Sequence, residues 1–315
     1  MKDLVIGVHM FAADSKGLVD AIVAAEDAGI DVAWMTSGGV APDPLAVFAA
    51  AAGRTSRIEF GTSIIPTFPR HPLALAQGAV VVDNLAPGRL RLGLGPSHKP
   101  IIDSMFGLPF ERPLEHLKEY VTILKTLLGK GSVDFDGDRL HAHAQLGKPT
   151  RVKVMISALR RNAFRLAGEV ADGGISWVSP LSHIRDVAVP ATLEGARAVG
   201  REPPPVIAHV PVVVSSDTPA VRRAMLRQFS FYPRQTFYAA MFTDAGFPEA
   251  ADGTFSEAMA DALAISGNES QVVDKVQAIA DFGAGEILVS VITIEEDREA
   301  YWRTLAVLGE LAASS

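Results

Sequence analysis

The sequence contains no cysteine. This absence excludes disulfide bonds, a thiol nucleophile and any metal site that depends on thiolate ligands. Aromatic residues are also scarce, at 7% of the 315 residues, in a composition that is 48% hydrophobic and rich in alanine and glycine. Such a chain can bury a large core, and its small side chains favour helices packed closely on strands over a β-sandwich.

The chain also lacks a block of basic residues and any long apolar run. Its formal net charge is −7, which argues against nucleic acid and anionic membrane surfaces as partners. No apolar stretch reaches the length that a membrane-spanning helix needs, and the N-terminal MKDLVIGVHMF turns polar at Asp14, too early for a signal peptide. We therefore expect a cytoplasmic protein that acts on a small molecule, with neither a nucleic-acid nor a membrane partner.

Several motifs of known chemistry are missing as well. The chain has no phosphate-binding Walker loop and no GxSxG nucleophile elbow, and its GLGPSH segment does not fit the dinucleotide fingerprint GxGxxG. His141 and His143 form an HxH pair, but we identify no carboxylate near them that would complete a set of metal ligands. We predict a solvated loop at these histidines and no bound metal.

What is present is an alternation of strands and helices. A helix that ends in an acid and a glycine runs directly into a strand at three places: AAEDAG before IDVAWM, LAGEVADG before GISWV, and AIADFGAG before EILVSV. Glycine supplies the positive φ that lets the chain reverse within such a short loop. Loops of this kind are typical of parallel strands joined by helical crossovers.

The alternation predicts eight strands, at residues 4–9, 31–35, 57–64, 89–94, 152–157, 174–178, 206–214 and 286–292. Eight repeats in a chain of this length favour a TIM-type (β/α)8 barrel over an open doubly wound sheet, which remains the alternative. We expect a single domain over residues 1–315, with insertions near 130–150 and 215–268.

The ends of the predicted strands hold the candidate functional residues, because parallel sheets bind ligands at the carboxyl ends of their strands. The third strand ends in Thr62 and Ser63, and the fourth runs through glycines into Ser97 and His98. A histidine at this edge can donate a hydrogen bond or move a proton near neutral pH. We therefore predict catalytic roles for His98 and for His9, which ends the first strand; packing within a loop is the alternative for both.

Two further features bear on packing and binding. Strand alternation puts Glu59 and Arg91 on the faces that carry the strand-end glycines, which indicates an ion pair low inside the barrel. The alternative is that one of the two points toward a helix and extends its charged end to solvent. The fifth strand leads into a helix at Arg160 and Arg161, where free N–H groups and two guanidinium groups would attract an anion. The alternative is a pair of solvated arginines. Trp177 follows the sixth strand and either forms a wall of a ring pocket or belongs to the core.

The segment FGTSIIPTFPRHPLALAQGAV and the GRLRLGLGPSH that follows it resemble the signature region of the luciferase-like monooxygenase superfamily. MFGLPFERPLEHLKEYVTILKTLL, RLAGEVADGGISWV and SGNESQVVDKVQAIADFGAGEILVSV resemble its later segments, so the similarity covers nearly the whole chain. The nearest resemblance is to the branch of oxidoreductases that use the deazaflavin coenzyme F420. It implies a TIM-type barrel with insertions and a deazaflavin or flavin that lies across the C-terminal mouth.

The resemblance also assigns residues to the cofactor. It implies a non-prolyl cis peptide between Ser63 and Ile64 behind the ring, a loop from Gly95 to His98 beside the ring, and a phosphate site at the helix start. With Trp177 as the ring wall, the expected cofactor-binding residues are Thr62, Ser63, Ile64, Gly95, Ser97, His98, Ala158, Leu159, Arg160, Arg161 and Trp177.

The chain departs from the family pattern at two places. Arg160 and Arg161 stand where relatives often carry glycine and proline, although arginines suit F420, whose phosphodiester and polyglutamate tail are anionic. Residues 36–39 read Thr-Ser-Gly-Gly where relatives that oxidise sugar phosphates commonly carry an Asp-His pair. We therefore do not expect the oxidation of a sugar phosphate with that proton acceptor.

The expected function is that of an F420-dependent oxidoreductase, which transfers a hydride between the deazaflavin and a small organic substrate. One alternative is an FMN-dependent monooxygenase on the same fold, and another is a barrel without catalysis that serves as a binding or assembly subunit. Aromatic residues cluster at 229–242. They indicate either an apolar, planar substrate or a dimer interface, and we expect a homodimer.

Overall fold

The computed structural model describes residues 4–295 and 297–314. Its centre is a ring of eight parallel strands in chain order: β1 (Val5–His9), β2 (Val32–Met35), β3 (Glu59–Thr62), β4 (Leu90–Gly95), β5 (Lys153–Ser157), β6 (Gly174–Ile175), β7 (Val206–Val214) and β8 (Glu286–Val291). Each strand pairs with the next, and β8 also pairs with β1, which closes the ring. The predicted barrel is therefore confirmed, and the alternative of an open sheet is wrong.

All eight strands lie where the alternation predicts them, but two are shorter than expected. The third, predicted over 57–64, ends at Thr62; a cis peptide joins Ser63 to Ile64, and pairing with β4 resumes at Ile65–Pro66. The sixth, predicted over 174–178, ends at Ile175. The chain bends away from the sheet after Ile175, and Val178 adopts a φ of 46°, which no strand residue can do.

Helices cover the outside of the ring. The first shows how the sequence sets their ends, because Asp14 accepts a hydrogen bond from the N–H of Gly17 and Gly29 follows with the predicted positive φ, 98°. In chain order, the helices between the strands are Ser15–Asp27, Pro44–Ala52, Pro72–Leu85, Lys99–Phe106, Pro113–Lys130, Arg161–Val170, Leu181–His183 with the π-turn Ile184–Ala188 and its continuation Val189–Ala198, and Glu269–Asp281. The helix Glu299–Ala313 follows β8.

Two segments lie outside this simple alternation. Within 130–150, the strands Ser132–Asp136 and His141–Gln145 pair as an antiparallel hairpin. Between β7 and β8, residues 215–268 fold into helices that enclose a second buried apolar cluster. The elements of this segment are the helices Thr218–Phe229, Thr236–Asp244 and Glu257–Leu263, the 3-10 turns Tyr232–Arg234 and Pro248–Asp252, and the short strand Ile265–Gly267, which pairs with β7.

The inside of the barrel is filled in three layers. The middle layer is apolar and centres on Trp34, which is fully buried. A Cβ on either Gly7 or Gly61 would overlap the Trp34 ring, so the two flanking strands carry glycine there. Strand alternation puts a polar layer above it. Its inward positions are His9, Thr36, Ser63, Gly95, Ser157, Trp177, His209 and Ser290.

The lowest layer contains a buried ion cluster. Arg91 donates hydrogen bonds to the carboxylates of both Glu59 and Glu286, so the predicted Glu59–Arg91 pair is confirmed and has a third member. Burial raises the pKa of Glu286 to about 7, against the opposing attraction of Arg91. One Glu286 oxygen, Oε1, has no hydrogen-bond partner, in keeping with a carboxyl group whose ionised form is costly.

We predict that Gly61→Ala destabilises the protein by about 1–3 kcal/mol, because the new methyl group must displace Trp34 from a closely packed interior. Gly129→Ala is the matched control, since its Cβ meets no atom within 4 Å on the helix Pro113–Lys130. The control should stabilise by about 0.5–1 kcal/mol. Thermal denaturation of both variants checks this, and equal melting temperatures would contradict it.

We also predict that the unfolding free energy of Glu286→Gln minus that of the wild type increases as the pH rises from 5 to 7, whichever protein is the more stable. Over this range the unfolded wild type loses the Glu286 proton while the folded protein retains it, so its free energy of unfolding falls by at most about 1.4 kcal/mol per pH unit. Glutamine has no proton to lose. Chemical denaturation at each pH gives this signed difference, and a constant or decreasing value would refute the raised pKa of Glu286.

Candidate active site

A cavity of about 710 Å³ opens at the carboxyl ends of the barrel strands. This volume is within the range of small-molecule and cofactor sites. Its walls come from the residues that follow β2 to β6, from the start of the helix Pro113–Lys130 and from the insertion at 231–238. The predicted cofactor-binding residues that line it are Ser63, Ile64, Ser97, His98, Ala158, Leu159, Arg160 and Trp177.

The floor of the cavity lies over β3 and β4. The cis peptide implied by the family resemblance is present between Ser63 and Ile64, and the Ser63 hydroxyl is buried without a hydrogen-bond partner. A Cβ on Gly95 would overlap Ser157 Oγ and press on Ile64. Beside them, Ser97 lines the cavity with a φ of 63°. The floor is therefore tightly packed and offers one unsatisfied hydroxyl to a ligand.

Thr62 and Gly95 lie below the cavity and are not among the residues that line it. The Thr62 hydroxyl donates to the carbonyl of Gly93 and accepts from the N–H of Gly93, both at 2.8 Å. Thr62 thus fastens β3 to β4 beneath the floor. Its predicted role in cofactor binding stays a prediction, and the structure places it as a support.

His9 does not line the cavity but contacts two residues that do, Thr36 and Trp177, and its neighbours set its protonation. The Thr36 hydroxyl donates its proton to the carbonyl of Ser63, at 2.9 Å, and therefore has only a lone pair to offer the Nε2 of His9, at 3.0 Å. Nε2 must carry a proton, which leaves Nδ1 as the basic nitrogen of the neutral ring. Nδ1 has no hydrogen-bond partner among the described residues, and burial lowers the pKa of His9 to about 4.

His98 lies on the rim, where the chain enters the helix Lys99–Phe106. Its ring makes no side-chain hydrogen bond within the described part of the chain, and its centroid is 5.9 Å from that of Tyr238. Burial lowers its pKa as well. Both predicted catalytic histidines are therefore neutral at pH 7. His98 lines the cavity, whereas His9, at the end of β1, adjoins the lining residues Thr36 and Trp177.

The two arginines at the start of the helix Arg161–Val170 point different ways. Arg160 lines the cavity and pairs with Asp244, at 2.9 Å, on the insertion. Arg161 does not line it and pairs with Glu194 on the neighbouring helix. The free N–H groups of the first helical turn face the same end as Arg160. An anion at this end thus has one guanidinium within reach.

The far wall is aromatic and comes from the insertion. Phe231, Tyr232, Phe237 and Tyr238 line the cavity, and the two tyrosine rings meet edge to face with centroids 4.8 Å apart. The Trp177 Nε1–H donates to the hydroxyl of Tyr232 at 2.5 Å. The sequence left this aromatic cluster open between a substrate site and a dimer interface, and the structure places these four residues at the cavity.

Sequence reasoning missed two residues of the polar layer, Thr36 and His209. Thr36 was read only as part of a loop that lacks an Asp-His pair, whereas its hydroxyl joins His9 to Ser63. His209 lies in VIAHVPVVV, a strand in which every residue is buried. The sequence feature that could have identified His209 is a histidine within an otherwise apolar run. A buried imidazole requires hydrogen-bond partners, so such a residue indicates a polar network inside the barrel.

The HxH pair is not isolated, so the reason given above for dismissing it was wrong. On the exposed face of the hairpin, His141 is 2.8 Å from Asp136 and His143 is 2.6 Å from Asp134, because these residues lie opposite one another. Within residues 4–295 and 297–314, no group of three or more histidine, aspartate or glutamate side chains is arranged to hold a metal ion.

In the part of the chain that the structure describes, no helix is long and apolar enough to cross a membrane. The homodimer and the cytoplasmic location stay predictions.

Comparison with known proteins gives the family. A family model described as luciferase-like monooxygenase matches residues 8–286. The F420-dependent glucose-6-phosphate dehydrogenase of Nocardia farcinica is 32% identical over 238 residues, 69% of this chain and 70% of that protein. The structure of the coenzyme F420 dependent tetrahydromethanopterin reductase from Methanopyrus kandleri matches with a TM-score of 0.80 at 23% identity, and the match covers 99% of each chain.

A third relative binds a different cofactor. The oxygenating constituent of 3,6-diketocamphane monooxygenase from Pseudomonas putida, solved with FMN, matches with a TM-score of 0.77 at 18% identity, over 99% of this chain and 98% of its own. At such identities the solved structures establish the fold alone. The family model spans well over half of the chain, and the family's barrel is the one described above. The chain is an enzyme of the luciferase-like monooxygenase family, as its sequence segments predicted.

Proposed function

We propose that the protein is an F420-dependent oxidoreductase that transfers a hydride between the deazaflavin and a small, uncharged organic substrate. The observation that carries the proposal is the cavity itself, which has a packed floor at one end and a single arginine at the other. A planar ring with an anionic tail fits these two ends. The names of curated relatives such as the Nocardia farcinica dehydrogenase support F420.

The residues present fit such a cofactor. The unpaired hydroxyl of Ser63 can bond a polar edge of the ring, and Gly95 has no Cβ that would displace Ser157 and Ile64 in the floor. Ile64, Ser97 and Trp177 would hold the ring from below and beside. Leu159 and Arg160 would hold the phosphate with backbone N–H groups and one guanidinium, next to Ala158, whose own N–H already donates to the carbonyl of Ile175 at 2.8 Å. We leave Arg161 out of this site because Glu194 holds it outside the cavity.

When bound, the deazaflavin supplies the hydride chemistry, and its carbon in place of the flavin N5 makes it poorly reactive with oxygen. The chain must orient the substrate, exclude water and handle one proton. We assign the proton to His9, which adjoins the lining residues Thr36 and Trp177. Its Nδ1 has no hydrogen-bond partner among the described residues and would accept from a substrate hydroxyl that reaches between them, while Thr36 holds Nε2–H. His98, which has no partner for its side chain in the described residues, would bond the substrate from the opposite rim.

The lining also limits the substrate. Arg160 and Glu115 are the charged side chains, other than histidines, among the described residues that line the cavity. Glu115 already pairs with Arg112, and the proposed cofactor phosphate takes Arg160. No further cation is left in the lining for a phosphorylated substrate. The proposed substrate is therefore a neutral, largely apolar carbonyl compound, alcohol or alkene rather than a sugar phosphate.

Titration of the purified protein with F420 and with FMN tests the cofactor, and two variants make the test site-specific. Arg160→Met should weaken F420 binding about tenfold, the low end for a charge-assisted hydrogen bond because the guanidinium is half exposed. Arg161→Met, the control, should change the affinity by less than about twofold, since Arg161 faces away from the cavity. Tight FMN binding with oxygen-dependent turnover, or equal losses in both variants, would contradict the proposal.

His9→Asn should lower kcat by about a hundredfold or more, with the cofactor affinity nearly unchanged, because it removes the proton acceptor. In the wild type, His9 becomes charged only as the pH approaches 4, so kcat/KM should stay level between pH 6 and 8. His98→Asn should raise KM more than it lowers kcat, and His143→Asn, on the exposed hairpin, is the control. Undiminished turnover of His9→Asn with bound cofactor would remove this residue from the reaction.

A further inference from the structure

His209 is a buried histidine that the chemistry above does not use. It lies in β7, has no exposed surface and is not among the residues that line the cavity. Its position faces the barrel axis, in the polar layer directly beneath the site. A buried imidazole needs partners for its polar atoms, and the partners of His209 show what it holds in place.

Three hydrogen bonds fix His209. Its backbone N–H donates to Ser176 Oγ at 2.9 Å, and its Nδ1 accepts from the backbone N–H of Val178 at 3.0 Å. Because Nδ1 is an acceptor, the neutral ring carries its proton on Nε2, which donates to Ser290 Oγ at 2.8 Å. The ring therefore joins β6, β7 and β8 at a fixed orientation.

The Val178 contact is the informative one. Val178 is fully buried and has a φ of 46°, a conformation that a β-branched residue rarely adopts. Such a backbone persists where neighbouring structure enforces it, and it is found preferentially at functional sites. Here Nδ1 of His209 accepts the hydrogen bond of the Val178 amide, and Val178 directly follows Trp177 in the chain.

Trp177 is held by His209 a second time, through its ring. The two rings are stacked with centroids 3.9 Å apart and planes 22° from parallel. The indole also contacts the site: Nε1–H donates to Tyr232, and the ring meets the ring of His9 at 71° with centroids 5.7 Å apart. His209 thus sets both the backbone and the ring plane of a cavity wall that touches a predicted catalytic residue.

We propose that His209 is a positioning residue, which shapes the ring pocket through Trp177 without touching cofactor or substrate. The inference rests on the proposed function only for the identity of what fills the pocket. It differs from a purely structural role, in which His209 would add stability to the barrel and leave the pocket unaffected.

Two substitutions separate the two kinds of contact. His209→Phe keeps a flat ring beneath Trp177 and removes the acceptor for the Val178 amide. His209→Asn keeps an acceptor near the place of Nδ1 and removes the stacked ring. Ser290→Ala is the control, because it removes only the Nε2 partner and leaves the contacts with Val178 and Trp177 in place.

Two measurements decide the proposal. His209→Phe should weaken F420 binding about tenfold. It should also abolish the near-ultraviolet circular dichroism signal of Trp177. This signal is the difference between the spectrum of a protein that has Trp177 and the spectrum of the same protein with Trp177→Phe. His209→Asn should show smaller changes of the same kind, and Ser290→Ala less than about twofold. In the Trp177→Phe background, His209→Phe should weaken binding by less than about twofold, because the residue it acts through is gone.

Equal losses of affinity with and without Trp177, or a lowered melting temperature with an unchanged Trp177 spectrum and affinity, would overturn the proposal. The spectral measurement needs no cofactor. If the wild type binds neither F420 nor FMN, the proposed function fails, and the Trp177 signal in His209→Phe still decides the role of His209. Should His209→Phe not fold, His209→Asn and its Trp177→Phe double variant answer the same question.

Discussion

A closed ring of eight strands has an interior that side chains must fill, and here Trp34 fills its centre. The indole fits only because Gly7 and Gly61, on the strands to either side, have no side chains at that height. Its N–H is left without a partner, so packing rather than hydrogen bonding holds it. With the centre closed, any ligand must lie above Trp34, on the polar layer at the carboxyl ends of the strands.

That layer is polar without being charged. Thr36 donates its one proton to Ser63, which decides how His9 is protonated. The amide of Val178 decides the same for His209, two strands away in the ring. Burial keeps both imidazoles neutral. A neutral, hydrogen-bonded layer does not attract a charged substrate. This agrees with the proposed uncharged substrate, which would lie beside the ring of a cofactor whose charged groups lie at the end near Arg160.

The sequence predicts the features that depend on local pattern. Strand positions follow from short apolar runs and glycine loops, and alternation along two strands was enough to pair Glu59 with Arg91. Glu286 was not predicted as their partner because it lies 195 residues from Arg91 in the sequence, and their meeting depends on how the barrel closes. The cis peptide after Ser63 came from family resemblance; its residues alone gave no sign of it.

In the candidate site too, some features follow from the local sequence and others depend on the tertiary structure. Arg160 and Arg161 look equivalent in the sequence, but Arg160 is the extended residue before the helix and Arg161 is the first helical residue. Arg160 lines the cavity, and Arg161 pairs with Glu194. Arg160 in turn pairs with Asp244, at the end of the helix Thr236–Asp244 that also brings Tyr238 to the wall. The insertion therefore contacts both the anionic end and the aromatic wall of the cavity. The barrel sets the height of the floor, and the insertion sets how far that wall stands from the arginine.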